Sequence, residues 1–176
     1  MKHWPVPGSY SKIIPVIGSP GSYWEHRGDR RHCGVDIYAP ESNDVHSIES
    51  GTVIGAGRFT SPDRTSYWNE TYYVLIQNES GLVCKYAELG HVKVKEGGHI
   101  KAGQLIGHVG LVLNGSKITP DSPEYIQKLK HASMLHFELY RSNAVEFHDT
   151  YSGGNWFSDT TPENLLDPGD YLSSLK

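Results

Sequence analysis

The stretch Met134-Leu135-His136-Phe137-Glu138-Leu139-Tyr140 decides the fold. Leu135, Phe137 and Leu139 alternate with His136 and Glu138, the period of an extended chain, so one face builds core while the other carries an imidazole and a carboxylate. Outward from this segment, Gly and Pro punctuate short runs rich in Val, Ile, Tyr and Thr. That pattern predicts a mainly β chain built on an antiparallel β-sheet or sandwich, with sequential strands pairing. Strands are expected over Gly34–Ile37, Asp44–Ser47, Gly51–Arg58, Tyr72–Gln77, Leu82–Ala87, Gln104–Val109 and Leu135–Tyr140. Ser122–His131 breaks the rhythm: Pro123 and Glu124 in a first turn, basic residues in the last and Ile126 and Leu129 three apart predict a short helix. In the tail, Thr161-Pro162-Glu163 predicts a turn of helix that stops at Pro168 and docks on the sheet.

The chain of 176 residues carries 16 Lys+Arg against 20 Asp+Glu, a formal net charge of −4, and no strongly basic stretch. This argues for one domain over 1–176 and against a nucleic-acid or anionic-membrane partner. The longest apolar runs, such as Tyr72–Ile76, fall far short of the roughly 20 residues that span a bilayer. The first residues lack the basic segment, apolar core and cleavage site of a secretory signal, so the default expectation is a cytoplasmic protein. Asn-x-Ser/Thr triplets at Asn69, Asn78 and Asn114 matter only in a secreted eukaryotic protein. Cys33 and Cys84 could bridge or stay free, and two cysteines are too few for a disulfide scaffold.

Three clusters carry chemistry. The first is Arg31-His32-Cys33-Gly34-Val35-Asp36-Ile37-Tyr38-Ala39-Pro40. In a straight strand His32 and Asp36 would lie about 13 Å apart on one face, so a single metal reaches both only if Gly34 bends the backbone. The bland alternative is a surface His and a turn Asp. Alternation turns Cys33 away from His32, toward packing. The second cluster is Met134–Tyr140, whose His136 is either a satisfied imidazole or the third member of a His, Asp, His set; such ligands suit zinc, with a fourth position for water. The third is Tyr86-Ala87-Glu88-Leu89 followed by the Gly-punctuated run Val94–Gly110, which lacks the features of a phosphate loop and reads as turns between strands.

In order and spacing, His32-Cys-Gly-Val-Asp36, Ser50-Gly51-Thr-Val, Tyr86-Ala-Glu-Leu89, Val94 through Gly110 and Leu135-His136-Phe137-Glu138 resemble the lysostaphin or LytM-type zinc metallopeptidases over about residues 15–141. The resemblance implies an antiparallel β fold with a groove over the sheet. Residues 1–14 and the tail 142–176 would pack on that fold. It also implies one zinc ion on His32, Asp36 and His136, and attack of water on a peptide carbonyl, typically in peptidoglycan, although members are usually exported. Tyr86, Met134 and Tyr125 would line the groove.

Two of the family's assisting histidines are replaced here, by Glu88 and Met134. A thioether has no ionisable proton, so Met134 can neither donate to an oxyanion nor shuttle a proton. Glu88 is either the general base, as the Glu of His-Glu-x-x-His enzymes is, or an exposed charge at a strand end. His131 and His91 could swing in to compensate, or His131 could simply cap its helix. Two insertions, 59–71 and 111–133, bring Tyr67, Trp68, Tyr125, Lys117, Lys128 and Lys130, which could shape a ligand surface or cover core edges. Two functions follow: a divergent metallopeptidase with Glu88 as base, or an inactive zinc-binding module that recognises a peptide or glycan or regulates a partner.

Overall fold

The apolar alternation of the central strands sets the architecture, because each buries one row of side chains in a main core and the opposite row against a second layer. The computed structural model describes residues 2–122, 124–129, 132–144 and 150–175. Strands run in the order β1 (Arg31–His32), β2 (Val35–Tyr38), β3 (Asp44–His46), β4 (Gly51–Thr60), β5 (Thr71–Asn78), β6 (Val83–Val92), β7 (His99–Ile100), β8 (Leu105–Val109), β9 (Met134–Tyr140), β10 (Tyr151–Ser152), β11 (Asn155–Trp156) and β12 (Leu165–Leu166). Two short helices are described, α1 (Glu124–Leu129) and α2 (Gly169–Ser173). None is long and apolar enough to cross a membrane.

The fold is mostly β and antiparallel. The spine of the large sheet is β12-β9-β6-β5-β4-β7, with β2 on β9 and β8 joining β3 to β6. A small sheet, β1-β11-β10, lies beside it. All seven expected strands form. Sequential pairing holds for β4–β5 and β5–β6 but fails for β2 and β3, whose partners β9 and β8 come from much later in the chain.

The main core takes Leu135, Phe137 and Leu139 of β9 with Tyr86 and Cys84 of β6, Val74 and Ile76 of β5, and Val35 and Ile37 of β2. A smaller cluster on the other side joins Cys33, Phe59, Val83, Ala87, Tyr140, Tyr151 and Leu165. The supposed polar face of β9 is therefore no solvent face: Leu135 through Tyr140 are all buried. Both cysteines are free and buried, and burial raises both thiols far above their ordinary value.

The tail departs from its reading. Residues 161–168 form no helix; Leu165 and Leu166 instead pair with Tyr140 and Leu139 as an edge strand. Pro168 opens α2 rather than ending a helix, which suits a residue with a fixed φ and no N–H, and Asp167 Oδ1 accepts the following Gly169 N–H at 2.8 Å. The helix expected over 122–131 is the shorter α1, while Pro123, Lys130 and His131 lie outside the described residues.

The insertions fold onto each other. Trp68 bridges to Leu113, Asn69 Nδ2 donates to the Leu111 carbonyl at 2.9 Å, and Asn114 N–H donates to the Tyr67 carbonyl at 2.9 Å. Trp68 also lies against Gly153, where an added Cβ would meet its ring at 2.7 Å.

Candidate metal centre

The bend that His32 and Asp36 require is present. β1 ends at His32 and β2 starts at Val35, and Gly34 between them sits so close to β9 that a Cβ would lie 2.2 Å from the Phe137 carbonyl oxygen. A side chain at Gly34 would separate the strands. β2 then pairs with β9 so that Asp36 stands opposite His136. The outcome is a buried triangle: His32 Nε2 lies 2.9 Å from His136 Nδ1 and 3.1 Å from Asp36 Oδ1, and His136 Nδ1 lies 3.0 Å from that same oxygen.

The outer contacts say what this triangle is for. His32 Nδ1 faces the Ser22 carbonyl at 2.8 Å, and a carbonyl can only accept, so Nδ1 carries the hydrogen. His136 Nε2 faces Glu138 Oε1 at 2.8 Å and by the same reasoning carries its hydrogen there. With both rings neutral, two nitrogen lone pairs and a carboxylate oxygen converge on one point, which is repulsive unless a positive charge stands between them. The electrostatics agree. Burial lowers the His136 pKa, but hydrogen bonds to Asp36 and Glu138 outweigh it and lift the ring to about 9. At Asp36 burial is outweighed by His32, by hydrogen bonds from both rings and by Arg27, which hold it well below the carboxylate range. Burial wins at His32, which is lowered.

A zinc ion fits this demand. Donors on a tetrahedral zinc with ~2.0–2.1 Å bonds lie about 3.3 Å apart, within a few tenths of an ångström of the triangle, and two His with one carboxylate is a set that leaves a coordination position open. The three side chains that converge here are the ones the sequence singled out.

Several supporting residues, Glu138 apart, went unnoticed in the sequence. Arg27 Nη2 donates to Asp36 Oδ2 at 3.0 Å, its Nε donates to Glu25 at 2.9 Å, and it thereby leaves Oδ1 as the metal-facing oxygen. Behind His136, Glu138 is fully buried and lies 2.7 Å from Lys85 Nζ, its cross-strand neighbour. Tyr140 and Tyr151 hydroxyls also donate to it, the latter at 2.6 Å. These partners hold Glu138 ionised despite burial. Lys85, Glu138 and Tyr140 share the alternation of their strands, a readable signal; Arg27 has none, because it precedes β1 and lies in no strand. Phe59 stacks on the His136 ring, centroids 5.7 Å apart.

Glu88 is no exposed strand end. It sits within β6 at a bulge, where Tyr72 pairs with Leu89 and Val74 with Tyr86, and its φ of 63° is in the left-handed region. Such a conformation costs a residue with a Cβ about 1 kcal/mol or more, and bulges re-aim side chains. Burial, then the Asp36 charge, push its carboxyl up to about 8. Met134 is half-buried on the His136 side of β9 and bridges to Gly110. Tyr86 is not at a groove: it is fully buried in the main core, its hydroxyl accepting the Ile48 N–H at 2.9 Å. The β-sheet alternation that turns Ala87 toward His136 turns Tyr86 away. His91 stacks on His108 instead of approaching the triad. His131 and the Tyr125 side chain lie outside the described residues.

Compared with known proteins, residues 30–147 match the family model of Peptidase family M23. The chain belongs to peptidase family M23. This M23 chain is 21% identical to the catalytic domain of the antimicrobial peptidase lysostaphin from Staphylococcus simulans, over 89% of this chain and 91% of that one, with a TM-score of 0.56. Against the longer lysostaphin structure from the same organism, identity is 19% over 99% of this chain and 55% of that one, TM-score 0.57. A chain of the SpoIIQ-SpoIIIAH pore forming complex is 18% identical over 97% and 91%, TM-score 0.54. The M23 chain thus spans about half the length of the first structures it matches. No curated protein matches it. At these identities the structures show a shared lysostaphin-type fold, and the zinc dependence of the family meets a His-Asp-His cluster in this member.

Proposed function

We propose that this chain is a zinc metallopeptidase that holds one ion on His32, Asp36 and His136 and uses Glu88 as general base on a peptide of the peptidoglycan type. The observation that carries the reading is the buried triangle of converging lone pairs, built from three elements and fixed from outside by Ser22, Arg27 and Glu138. Zinc on those ligands supplies Lewis acidity for a carbonyl oxygen and makes water acidic enough to attack near neutral pH. Glu88 takes the proton: burial and the Asp36 charge raise its carboxyl in the metal-free chain, and the charge of a bound zinc ion would draw it back down, leaving a base that is ionised yet holds a proton better than an ordinary glutamate. Met134 offers neither proton nor hydrogen bond and presents an apolar thioether to the substrate. The proposal extends to His131 and Tyr125, which the sequence places in the insertion leading to β9.

Glu88→Gln tests it. Cleavage of peptidoglycan fragments, followed by chromatography, should fall by about 10²–10⁴ while zinc affinity at the buried triad is retained. Undiminished cleavage overturns the base assignment.

A second reading is favoured by Met134: a zinc-stabilised module that binds a peptide or glycan, or a protein partner, without cutting. Similarity to a chain from a pore-forming complex supports it. It expects saturable ligand binding by the zinc-loaded protein with no product after long incubation.

A further inference from the structure

The hairpin β10–β11 comes from the tail, yet it is tied to each side chain of the triangle. Its second strand pairs with β1 so that Asn155 stands opposite His32, and the Cys33 N–H donates to the Gly154 carbonyl at 2.9 Å. Gly154 also lies against the His136 ring, where an added Cβ would be 2.6 Å from Nε2 and 2.7 Å from Cε1. From the first strand, the Tyr151 hydroxyl donates to Glu138 Oε1, the same oxygen that accepts the His136 Nε2–H. Asp36 is reached through Arg27, whose Nη1 donates to Asn155 Oδ1 at 3.4 Å while its Nη2 holds Asp36 Oδ2.

The turn of the hairpin is shaped against two rings. Gly153 and Gly154 have φ of 54° and 75°, the sign that a two-residue hairpin turn needs at both positions. Turn geometry alone would accept Asn at the first. Here a Cβ at Gly153 would meet the Trp68 ring at 2.7 Å, so any side chain there has to displace that ring. One glycine thus touches Trp68 and the next touches His136. Trp68 is itself half-buried and braced, its backbone N–H donating to the Thr65 carbonyl at 2.9 Å and its backbone bridging to Leu113 of the second insertion. Bracing matters at a histidine because its outer torsion is broad and sets no ring orientation unaided. Contacts must choose the orientation, and at His136 they come from Phe59, Glu138 and this turn.

We infer that the β10–β11 hairpin, braced by Trp68, is a positioning element of the metal centre: it fixes the orientation of the His136 ring and shields the bond from Nε2–H to Glu138, so that Trp68 governs zinc affinity from outside the ligand set. Trp68, Gly153, Gly154 and Tyr151 are its positioning residues. The insertion 59–71 then does more than cover core edges, because it acts on the centre through the tail. What the ring is held to bind is the zinc of the function proposed above, on which this inference rests.

Two measurements on the full chain test it: zinc affinity by competition with a chelator, and NMR of the His136 ring nitrogens and Nε2–H in metal-stripped protein. Trp68→Ala should lower zinc affinity about tenfold and speed exchange of the Nε2–H with water, and Trp68→Phe, which keeps a ring against Gly153, should recover most of both. Gly154→Ala should shift the His136 ring signals and lower affinity by up to about 100-fold. If that variant fails to fold, Trp68→Ala, outside the named strands, still decides. Leu172→Ala, a truncation in the main core, should cost stability without moving either readout. Unchanged affinity and unchanged His136 signals in Trp68→Ala, or equal changes in Leu172→Ala, overturn the inference. Absence of zinc binding by the natural chain would instead strike the zinc reading, while the ring signals of the metal-free variants still judge the hold of the hairpin on His136.

Discussion

The two halves of the buried site are built to different standards. On the ligand half, each of His32, Asp36 and His136 has its second polar atom engaged, by Ser22, Arg27 and Glu138, and nothing in that backbone is unusual for its residue. By contrast, Met134, on the strand of His136, is chemically silent, and Glu88 is held in a left-handed conformation, its carboxyl taking no hydrogen bond from the described residues. Binding a cation needs only fixed lone pairs, and this chain keeps every device for that. Moving protons needs a group whose charge can change, and in the proposed function that task falls to Glu88 alone.

The comparison can be broken from the ligand side. Glu138→Ala strips Lys85 of its carboxylate partner in a fully buried position, and an uncompensated buried charge costs about 3–5 kcal/mol. Chemical denaturation should show that loss, with zinc affinity falling as well because His136 loses the contact that fixes its tautomer. A milder break is Arg27→Met, which frees Asp36 Oδ2 while keeping the packing of the stem. Zinc affinity measured by competition with a chelator should drop about 10- to 100-fold with stability little changed.

The Glu88 side of the comparison is sharpened by pH. In metal-stripped protein the Glu88 carboxyl has a folded pKa of about 8 against an ordinary value of 4.5, so the fold favours its neutral form. The stability this confers is complete below pH 4.5 and is lost as pH rises toward 8, because the unfolded chain ionises first. Glu88→Gln cannot ionise. Its stability relative to the natural chain should therefore rise across that window by about 1–2 kcal/mol, the side chain being only half-buried, and level off above it. A difference that does not vary with pH would show that the carboxyl is solvated like any surface glutamate.

Alternation made the seven main strands legible, because each buries a whole row of side chains and a slip of one residue would invert it. It misled at the solvent face of β9, since alternation reports that a row differs from its neighbour and not what covers it; β1 and the β10–β11 hairpin do the covering. The tail misled for a related reason: Thr161-Pro162-Glu163 is a sound helix start, but Leu165 and Leu166 gain more by pairing with the open edge of β9. Tyr86 was misplaced because its neighbour Glu88 lies on a bulge, which shifts which residues of β6 face the triad.

By itself the sequence singled out the three side chains that converge, since residue type, a bend-permitting Gly34 and the alternation of β9 are all local properties. Only the tertiary structure decided that they meet within 3.1 Å, which nitrogen of each ring is free, that Arg27 and Lys85 support the cluster, and that Glu88 sits on a bulge with a left-handed backbone. The meeting of His136 with His32 and Asp36 depends on pairing between residues 100 and more positions apart. The hydrogen bonds and charges that fix them exist only after that pairing excludes water.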